Sequence, residues 1–393
     1  MDKVNDALKA YANLKRPFAC IDMEAVDWNI EMVNRLTVDK KIRIATKSVR
    51  SVELLRYIAE QLTNHGGWMT YDCEETQFLL ERGFDDLLIG YPQLEKAAIV
   101  LLIPYIANGA KVIFMVDSEE QVGLLHRIGE AFDVKIEICL DINLSTDYKL
   151  LYFGTQRSSL KKLDDVRELI QKLQVYSFVE VVGVMGYEAQ IAGVADIPAA
   201  KWQKPIIRAL KLHSEKKVDL YRKAAVHEIR KAFPAVRFVN GGGSGSIEFT
   251  CRAEEVSEVT IGSAFYFPAL FSRYNNAPFE PATFFALRVT RKPDAQIAVC
   301  HGGGYVASGA PGIDKSPVPV WPKHLTLLAN EGAGEVQTPV YDKEKSLSIG
   351  DTVFFRHAKA GELCEQFNEL HARRGDRYVK TFKTYRGDGA CFL

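Results

Sequence analysis

The segment Ile42-Arg-Ile-Ala-Thr-Lys-Ser-Val-Arg50 contains a short apolar strand pattern that ends at a lysine, Lys47. Similar β-rich runs alternate with longer amphipathic patterns as far as about residue 265, and such alternation predicts parallel strands joined by crossover helices. Eight runs, the number that closes a barrel, follow from Ile42 onward. They are Ile42–Thr46, Trp68–Tyr71, Asp86–Gly90, Lys111–Val116, Lys135–Leu140, Phe178–Gly186, Val236–Asn240 and Val259–Gly262. We predict an α/β fold with a (β/α)8 TIM-type barrel; a doubly wound open sheet is the alternative.

The pattern changes on both sides of this region. An additional apolar run, Phe18–Met23, precedes the eight and is free to pair elsewhere. After Phe267, short β-like runs are separated by turn signals such as Arg291-Lys-Pro-Asp294, and helical periodicity nearly disappears. We predict a barrel domain over residues 18–267 and a mostly β C-terminal domain over residues 268–393, with residues 1–17 a candidate to pack on the second domain.

Composition narrows the class of protein. The 393 residues carry 50 Lys and Arg against 50 Asp and Glu, which argues against nucleic-acid binding and against attraction to a membrane surface. No run of about 18 apolar residues exists, and the polar start of the sequence is unlike a secretion signal. The seven cysteines are scattered without CxxC spacing, so we expect a reducing, cytoplasmic location.

Lys47 is the first candidate for chemistry. It comes directly after an apolar strand, at the carboxyl-terminal rim where barrel enzymes place their active sites. A lysine there is either a solvated loop residue or a nucleophilic amine activated by burial or by a neighbouring cation. Arg43 and Arg50 are close enough in sequence to supply that cation.

A glycine-rich loop, Asn240-Gly-Gly-Gly-Ser-Gly-Ser246, follows the seventh barrel run. Its backbone amides and hydroxyls can converge on an anion, and barrels of this kind often bind phosphate at the loops after strands seven and eight. Gly262 and Ser263, after the eighth run, form the second half of such a cradle. A flexible loop without a ligand is the alternative.

Two further segments carry reactive side chains. His357, Glu362 and Cys364 lie within eight residues of one another and are capable of acid/base chemistry or metal binding, although their spacing matches no standard zinc site. Tyr187 comes at the end of the sixth run and would project into the mouth of a barrel. A packed structural histidine and a packed tyrosine are the alternatives.

Together these features resemble the fold type III pyridoxal phosphate enzymes, and among them the D-threonine aldolase and D-serine dehydratase group, whose N-terminal domain is shared with alanine racemase. The resemblance covers nearly the whole chain and includes the lysine motif, the passage Glu81–Pro92, Tyr187 and the glycine loop. The ending Thr384-Tyr-Arg-Gly-Asp-Gly389 is similar to a bacterial branch labelled amino-acid deaminase/aldolase.

The resemblance implies a pyridoxal 5'-phosphate lyase that acts on a small D-amino acid with a β-hydroxyl, by aldol cleavage or dehydrative deamination. Lys47 would hold the cofactor as a Schiff base, Arg157 and Tyr187 would lie against its ring or the ring oxygen, and His357 would be the acid or base. The cofactor phosphate would be bound by Gly241, Gly242, Gly243, Ser244, Gly262 and Ser263. A homodimer is also implied.

Two positions depart from the group's pattern. Val49 stands where the group has a histidine two residues after the lysine, and Lys359 stands two residues after His357, where metal-dependent members have Cys or Asp. A divalent metal is therefore uncertain. His357 and Cys364 are its candidate ligands, with Glu362 as a further one, and Lys359 could instead place a cation where the metal charge would be.

Three other functions stay open from the residues. A racemase would need bases on both faces of the substrate α-carbon. A pyridoxal phosphate carrier without turnover would explain the cradle but not the large second domain. In a sugar-phosphate aldolase, Lys47 would hold the substrate and the glycine loop its phosphate.

Overall fold

The computed structural model describes residues 2–148, 151–197, 201–275, 277–310 and 312–392. Its strands are β1 (Phe18–Asp22), β2 (Lys41–Ala45), β3 (His65–Thr70), β4 (Leu87–Ile89), β5 (Val112–Val116), β6 (Ile136–Asp141), β7 (Thr146–Asp147), β8 (Tyr152–Phe153), β9 (Val179–Gly186), β10 (Phe238–Gly241), β11 (Glu258–Ile261), β12 (Thr283–Asp294), β13 (Ile297–His301), β14 (Val318–Trp321), β15 (Leu325–Leu327), β16 (Gln337–Asp342), β17 (Thr352–Arg356), β18 (Glu369–Arg374) and β19 (Arg377–Lys383). Its helices are α1 (Asp2–Ala10), α2 (Met23–Leu36), α3 (Val52–Gln61), α4 (Cys73–Leu80), α5 (Lys96–Val100), α6 (Ile103–Ala107), α7 (Glu119–Phe132), α8 (Leu163–Leu173), α9 (Ala189–Ala192), α10 (Lys204–Ala232), α11 (Ile247–Arg252) and α12 (Ser263–Tyr266).

The predicted barrel is confirmed. Parallel strands close in the order β10-β11-β2-β3-β4-β5-β6-β9, and β2 and β11 are paired from Lys41 with Glu258 to Ile44 with Ile261. Strands such as β5 are buried along their whole length because helices cover the outside of the barrel while side chains fill its interior. A separate interior cluster consists of Met69, Leu88, Ile113, Cys139, Val182 and Phe238.

The second domain is built on a nine-stranded sheet with the order β15-β16-β13-β12-β1-β18-β19, in which β17 pairs with β12 and β14. Strand β1 lies between β12, to which it is antiparallel, and β18, to which it is parallel. The predicted boundary at residue 18 is therefore wrong for this strand, because the hydrogen bonds of β1 belong to the second sheet. Burial of all five residues of β1 explains why its run is as apolar as a barrel strand.

The N-terminal residues pack on the second domain. Tyr11 is buried against Phe18 and Phe354, and its hydroxyl donates to the carbonyl of His371 at 3.0 Å. The chain then enters β1 and α2, whose N-terminus is capped by the Asp22 carboxylate at the amides of Glu24 and Ala25. The segment before β1 thus packs on the second domain.

One predicted turn is part of a strand. The segment Arg291–Asp294 continues β12, and the pairing of β12 with β13 shifts register between Val289 and Asp294. Bulged strands tolerate proline and charged side chains at a sheet edge, which explains the misleading local pattern. None of the helices in the described ranges is long and apolar enough to cross a membrane.

Candidate active site

Lys47 lies at the mouth of the barrel, in the 3₁₀ turn Thr46–Ser48 directly after β2. It is exposed, whereas the flanking Thr46 and Ser48 are buried, and the Thr46 hydroxyl anchors the turn by donating to the carbonyl of Met69 at 2.9 Å. The Lys47 ammonium donates to the hydroxyl of Tyr91 and lies 4.9 Å from the centre of its ring. The turn therefore presents a tethered amine to the open end of the barrel.

Neither Arg43 nor Arg50 is a free cation beside this amine, so that part of the sequence hypothesis is wrong. Arg43 is buried inside the barrel, where its guanidinium bonds the carboxylates of Glu258, at 2.6 Å, and Asp86, at 2.7 Å. Arg50 pairs with Glu365 of the second domain at 2.9 Å. Both charges are neutralised by partners that the sequence separates widely.

The glycine loop follows β10 as predicted, and its backbone is held in place by the side chains that pack against Gly242. Gly242 has a φ of +84°, a conformation that favours glycine, and a Cβ there would lie 3.0 Å from side-chain atoms of Thr250 and Val259. Its amide donates to the Glu188 carboxylate at 2.7 Å. Gly242 therefore shapes the loop, but its N–H is already used.

The Glu188 carboxylate belongs to a buried charge network that the sequence did not reveal. It pairs with the guanidinium of Arg222 on α10, which also bonds Glu255 at 2.7 Å, and both Glu188 and Arg222 are fully buried. The Thr250 hydroxyl donates to the same carboxylate at 3.2 Å. This network ties α10, α11 and the glycine loop together, and residues this far apart give no local sequence signal.

The loop after β11 joins the glycine loop to the Lys47 turn. A Cβ on Gly262 would lie 2.6 Å from the side chain of Ser48, so only glycine fits there. The Ser244 hydroxyl accepts from the amide of Ala264 at 2.9 Å. Within the described residues, the amides of Gly243, Ser244 and Ser263 have no hydrogen-bond partner. These amides are available to an anion.

Three more side chains complete the mouth of the barrel, those of Tyr187, Arg157 and Asp141. Gly243 lies against the Tyr187 ring, since a Cβ there would be 3.2 Å from Cε2. Burial raises the pKa of Tyr187 to about 12, and the nearby Arg157 guanidinium acts in the opposite direction. Burial, with the neighbouring Asp117 charge, raises the pKa of Asp141 to about 7, while Arg157 lowers it. Arg157 is thus close to both groups.

Asp141 was missed by the sequence reasoning although a signal was present. It is the last residue of β6, directly after the apolar run Lys135–Leu140, which is the same relation that identified Lys47. Its side chain is partly buried, and among the described residues burial and the charges of Asp117 and Arg157, rather than a hydrogen bond, set its pKa. Tyr91 is a second site residue that was not predicted from the sequence. The same signal was present for it, because it directly follows the predicted run Asp86–Gly90.

His357 lies in the second domain at the end of β17 and is buried, with neither ring nitrogen hydrogen-bonded. Burial, together with the neighbouring Arg356 charge, lowers its pKa to about 3. His357 is the predicted acid or base, a role for which an imidazole needs a pKa near the working pH. Burial moves the pKa of His357 well below that range, so the prediction does not fit this environment. The ring is neutral at physiological pH and can accept a proton only at a high free-energy cost.

The other second-domain candidates are engaged elsewhere. The Cys364 thiol is buried, its pKa is raised to about 12 by burial, and it donates to the carbonyl of Val49 at 3.3 Å. Glu362 accepts from the amide of Ser308 at 2.9 Å and pairs with Lys359 at 3.6 Å. Across the described residues, no three His, Cys, Asp or Glu side chains are placed to hold a metal ion.

The model of the alanine racemase N-terminal domain matches residues 21–269, well over half of the chain. The chain belongs to this family. No curated protein sequence matches it. The family's domain accounts for the barrel described above, and proteins of this family depend on pyridoxal phosphate.

Solved structures similar to this alanine racemase-like chain extend over both domains. D-threonine aldolase from Filomicrobium marinum has a TM-score of 0.81 at 17% identity and covers 97% of each chain. D-threo-3-hydroxyaspartate dehydratase from Delftia sp. HT23 has a TM-score of 0.77 at 16% identity, covering 95% of this chain and 98% of the other. Alanine racemase from Clostridium difficile 630 has a TM-score of 0.64 at 15% identity, covering 94% and 98%. A further dehydratase structure is of a cysteine-to-alanine variant in a metal-free form.

Proposed function

We propose that this chain is a pyridoxal phosphate-dependent lyase that acts on a small D-amino acid with a β-hydroxyl. The observation that carries the proposal is the meeting of three loops at one end of the barrel. Gly262 packs on Ser48, beside Lys47, and Ser244 bonds the amide of Ala264. An amine and an anion cradle are thereby joined in one mouth.

The residues present fit pyridoxal phosphate. The unpartnered amides of Gly243, Ser244 and Ser263 suit its phosphate, and Gly262 has no side chain to block a close approach. Lys47 is the attachment point for its aldehyde. Tyr187, with a phenol that stays protonated, and Arg157 are the groups we assign to the ring and its oxygen.

When bound, the cofactor supplies an electron sink for the bond that breaks at the substrate α-carbon. The chain has to supply the rest. Tyr91 accepts a hydrogen bond from the Lys47 ammonium and so orients the amine across the mouth. The Glu188–Arg222 network fixes the glycine loop, which lets the cradle hold an anion without reorganising.

Aldol cleavage requires a base at the β-hydroxyl, and dehydration requires an acid there. Asp141 is our candidate for this proton transfer in place of His357. Its pKa of about 7 keeps both protonation states populated near neutrality, as efficient acid/base catalysis requires. The nearby positive charge of Arg157 lowers the pKa of Asp141, so a change in its position when the substrate binds would change the ratio of protonated to ionised Asp141.

A divalent metal does not fit the residues present. Zinc in a catalytic site takes three protein ligands. Here Cys364 is a protonated thiol directed at a carbonyl, Glu362 is bonded to Ser308 and Lys359, and Lys359 is an ammonium that cannot ligate. His357 is left as a single donor. No step of the proposed reaction is routed through a metal.

The substrate class comes from the names of the similar aldolase and dehydratase structures, and both are consistent with a β-hydroxyl. We extend the proposal to a homodimer in the cytoplasm, with which the even charge balance and the lack of a disulfide among the described residues are consistent. A racemase differs from this proposal in its product, since it would invert the α-carbon and leave every bond to the β-carbon intact.

The test is incubation of the purified holoenzyme with D- and L-forms of threonine, serine, alanine and 3-hydroxyaspartate. We expect an aldehyde with glycine, or a keto acid with ammonia, from a D-β-hydroxy substrate. Inversion of alanine or serine without β-bond cleavage would instead identify a racemase. An absorbance band of imine-bound pyridoxal without any turnover would identify a carrier, and a protein without that band would contradict the proposal altogether.

A further inference from the structure

Lys359 is held at a defined position in the second domain. Its ammonium donates to the hydroxyl of Ser308 at 2.8 Å and lies 3.6 Å from a Glu362 carboxylate oxygen. Glu362 in turn accepts from both the amide and the hydroxyl of Ser308. The three residues form a closed polar cluster, in which Lys359 and Glu362 are each about one-third exposed. The ammonium is thus fixed but still reachable from solvent.

This cluster is adjacent to the mouth of the barrel. Two residues after Lys359, the backbone of Gly361 lies directly against the carbonyl of Lys47. Two residues before it, His357 is buried with both nitrogens unpartnered. Two residues of chain span at most about 7 Å, so the backbone of Lys359 lies beside the Lys47 turn, on the wall that the second domain contributes.

We propose that Lys359 provides the positive charge at this wall and binds the oxygen on the substrate β-carbon, so that the chain acts without a divalent metal ion. The inference rests on the proposed function for the identity of that oxygen. An ammonium has three donor hydrogens, and the described contacts leave it able to donate another to an incoming oxygen. It supplies charge and a hydrogen bond, but it cannot act as a Lewis acid.

The charge of Lys359 is only partly offset. Its distance of 3.6 Å from Glu362 exceeds that of a direct charge-assisted hydrogen bond, whereas Ser308 holds both Glu362 oxygens from its amide and hydroxyl. The Glu362 carboxylate thus accepts hydrogen bonds from both the amide and the hydroxyl of Ser308. The bond from the hydroxyl leaves the Ser308 oxygen free to accept from the Lys359 ammonium. Ser308 thus fixes the position of the ammonium within its ion pair with Glu362.

The first experiment measures metal directly. Holoenzyme is dialysed against EDTA, its metal content is determined by mass spectrometry, and Mn²⁺ and Zn²⁺ are titrated by calorimetry. We expect less than about 0.1 metal per chain, no stoichiometric binding, and a change in kcat/KM below twofold after chelation. A stoichiometric metal, or activity lost to EDTA and restored by Mn²⁺ or Zn²⁺, would overturn the inference.

The second experiment tests the lysine. Lys359→Met should raise KM for the β-hydroxy substrate at least tenfold, Lys359→Arg should retain more of the affinity, and neither Mn²⁺ nor Zn²⁺ should rescue the methionine variant. Lys323→Met, at an exposed lysine of the same domain, is the matched control. The cofactor absorbance band reports folding of each variant. Unchanged kinetics in Lys359→Met would refute the role of Lys359.

The two proposals can fail separately. If no amino acid is turned over, the proposed lyase function fails, but metal content and calorimetry still decide whether the chain binds a divalent ion. If turnover is found and depends on a metal, the lyase function stands and the inference about Lys359 fails.

Discussion

The backbone of Gly361 lies directly against the carbonyl oxygen of Lys47, with no room for a Cβ between them. The contact joins the second domain to the lysine turn of the barrel. The three barrel residues that follow the Lys47 turn make further contacts with the second domain. The carbonyl of Val49 accepts from the Cys364 thiol, and Arg50 pairs with Glu365. The Ser51 hydroxyl donates to the carbonyl of Lys383 at 2.6 Å. The second domain therefore sets the position of Lys47.

Replacing Gly361 by alanine should displace the Lys47 turn. Because the added methyl would overlap the Lys47 carbonyl, we expect a loss of about 1–3 kcal/mol in the free energy of unfolding, the usual cost of overpacking, together with weaker cofactor binding. Urea unfolding and cofactor titration measure both effects. Gly123→Ala on α7 is the control, since a Cβ there meets only side-chain atoms at 3.4 Å or more. Equal stability of the two variants would contradict the proposed contact.

Lys47 should carry the cofactor. Borohydride reduction of the holoenzyme followed by peptide mapping should place the pyridoxyl mass on this residue, because its ammonium is the one tethered at the mouth by Tyr91. Lys47→Arg keeps the charge but cannot form the covalent link, and it should lose the imine absorbance band while unfolding at the wild-type urea concentration. Modification of a different lysine would contradict the assignment of the whole site.

The sequence predicted the barrel well because its strands are buried on both faces and read as uninterrupted apolar runs. Helix α7 has one buried face and one charged face, which is the amphipathic pattern from which the crossover helices were predicted. The second domain was predicted less completely. Strand β19 is exposed at five of its seven positions, so its sequence lacks the alternation that marks a half-buried strand.

Long-range pairs in the site could not be predicted at all. Nothing near Arg222 in the sequence indicates that α10 delivers its guanidinium to Glu188, 34 residues earlier. The burial of His357 was equally hidden, because its neighbours at the end of β17 do not reveal what packs over them. The sequence identifies which residue types stand at the strand ends. It does not identify the neighbours that determine the pKa of each of these side chains, because only the closed fold brings them together.

Glu188→Gln should weaken both the fold and the cradle. It leaves the fully buried Arg222 without its full counter-charge, and removal of one partner of a buried pair typically costs about 3–5 kcal/mol. Because Glu188 also accepts from the Gly242 amide, cofactor affinity should fall with stability. Arg222→Met combined with Glu188→Gln should recover part of the loss, as replacement of both charges removes the unpaired ion.

The matched control for this pair is Arg167→Gln, which breaks an exposed ion pair with Glu228 on the same helix, α10. It should leave unfolding and cofactor affinity unchanged. If Glu188→Gln behaves like this surface variant, the buried network does not support the glycine loop.

Asp141 should give the protein a distinctive dependence on pH. Its pKa is raised from 3.8 to about 7 in the folded chain, so between these values the folded state binds more protons than the unfolded state. The contribution of Asp141 to stability therefore falls as the pH rises from about 4 to 7, by at most about 4 kcal/mol at 1.36 kcal/mol per pKa unit. His357 acts in the opposite direction over part of this range, since its pKa is lowered from 6.5 to about 3.

The contribution of Asp141 is isolated by comparing Asp141→Asn with the wild type, both stripped of cofactor, by urea unfolding at each pH. The variant should gain stability relative to the wild type as the pH rises from 4 to 7, because it no longer buries a charge beside Asp117. In the holoenzyme the same change should lower kcat at least about 100-fold, the usual scale for loss of a general acid or base. Asp117→Asn is the companion variant. By removing the neighbouring charge, it should lower the pKa of Asp141 and move the corresponding limb of the kcat profile to lower pH: the acidic limb if Asp141 is a base, the basic limb if it is an acid. A constant stability difference between Asp141→Asn and the wild type, with an unshifted kcat profile in Asp117→Asn, would exclude Asp141 as the proton-transfer group.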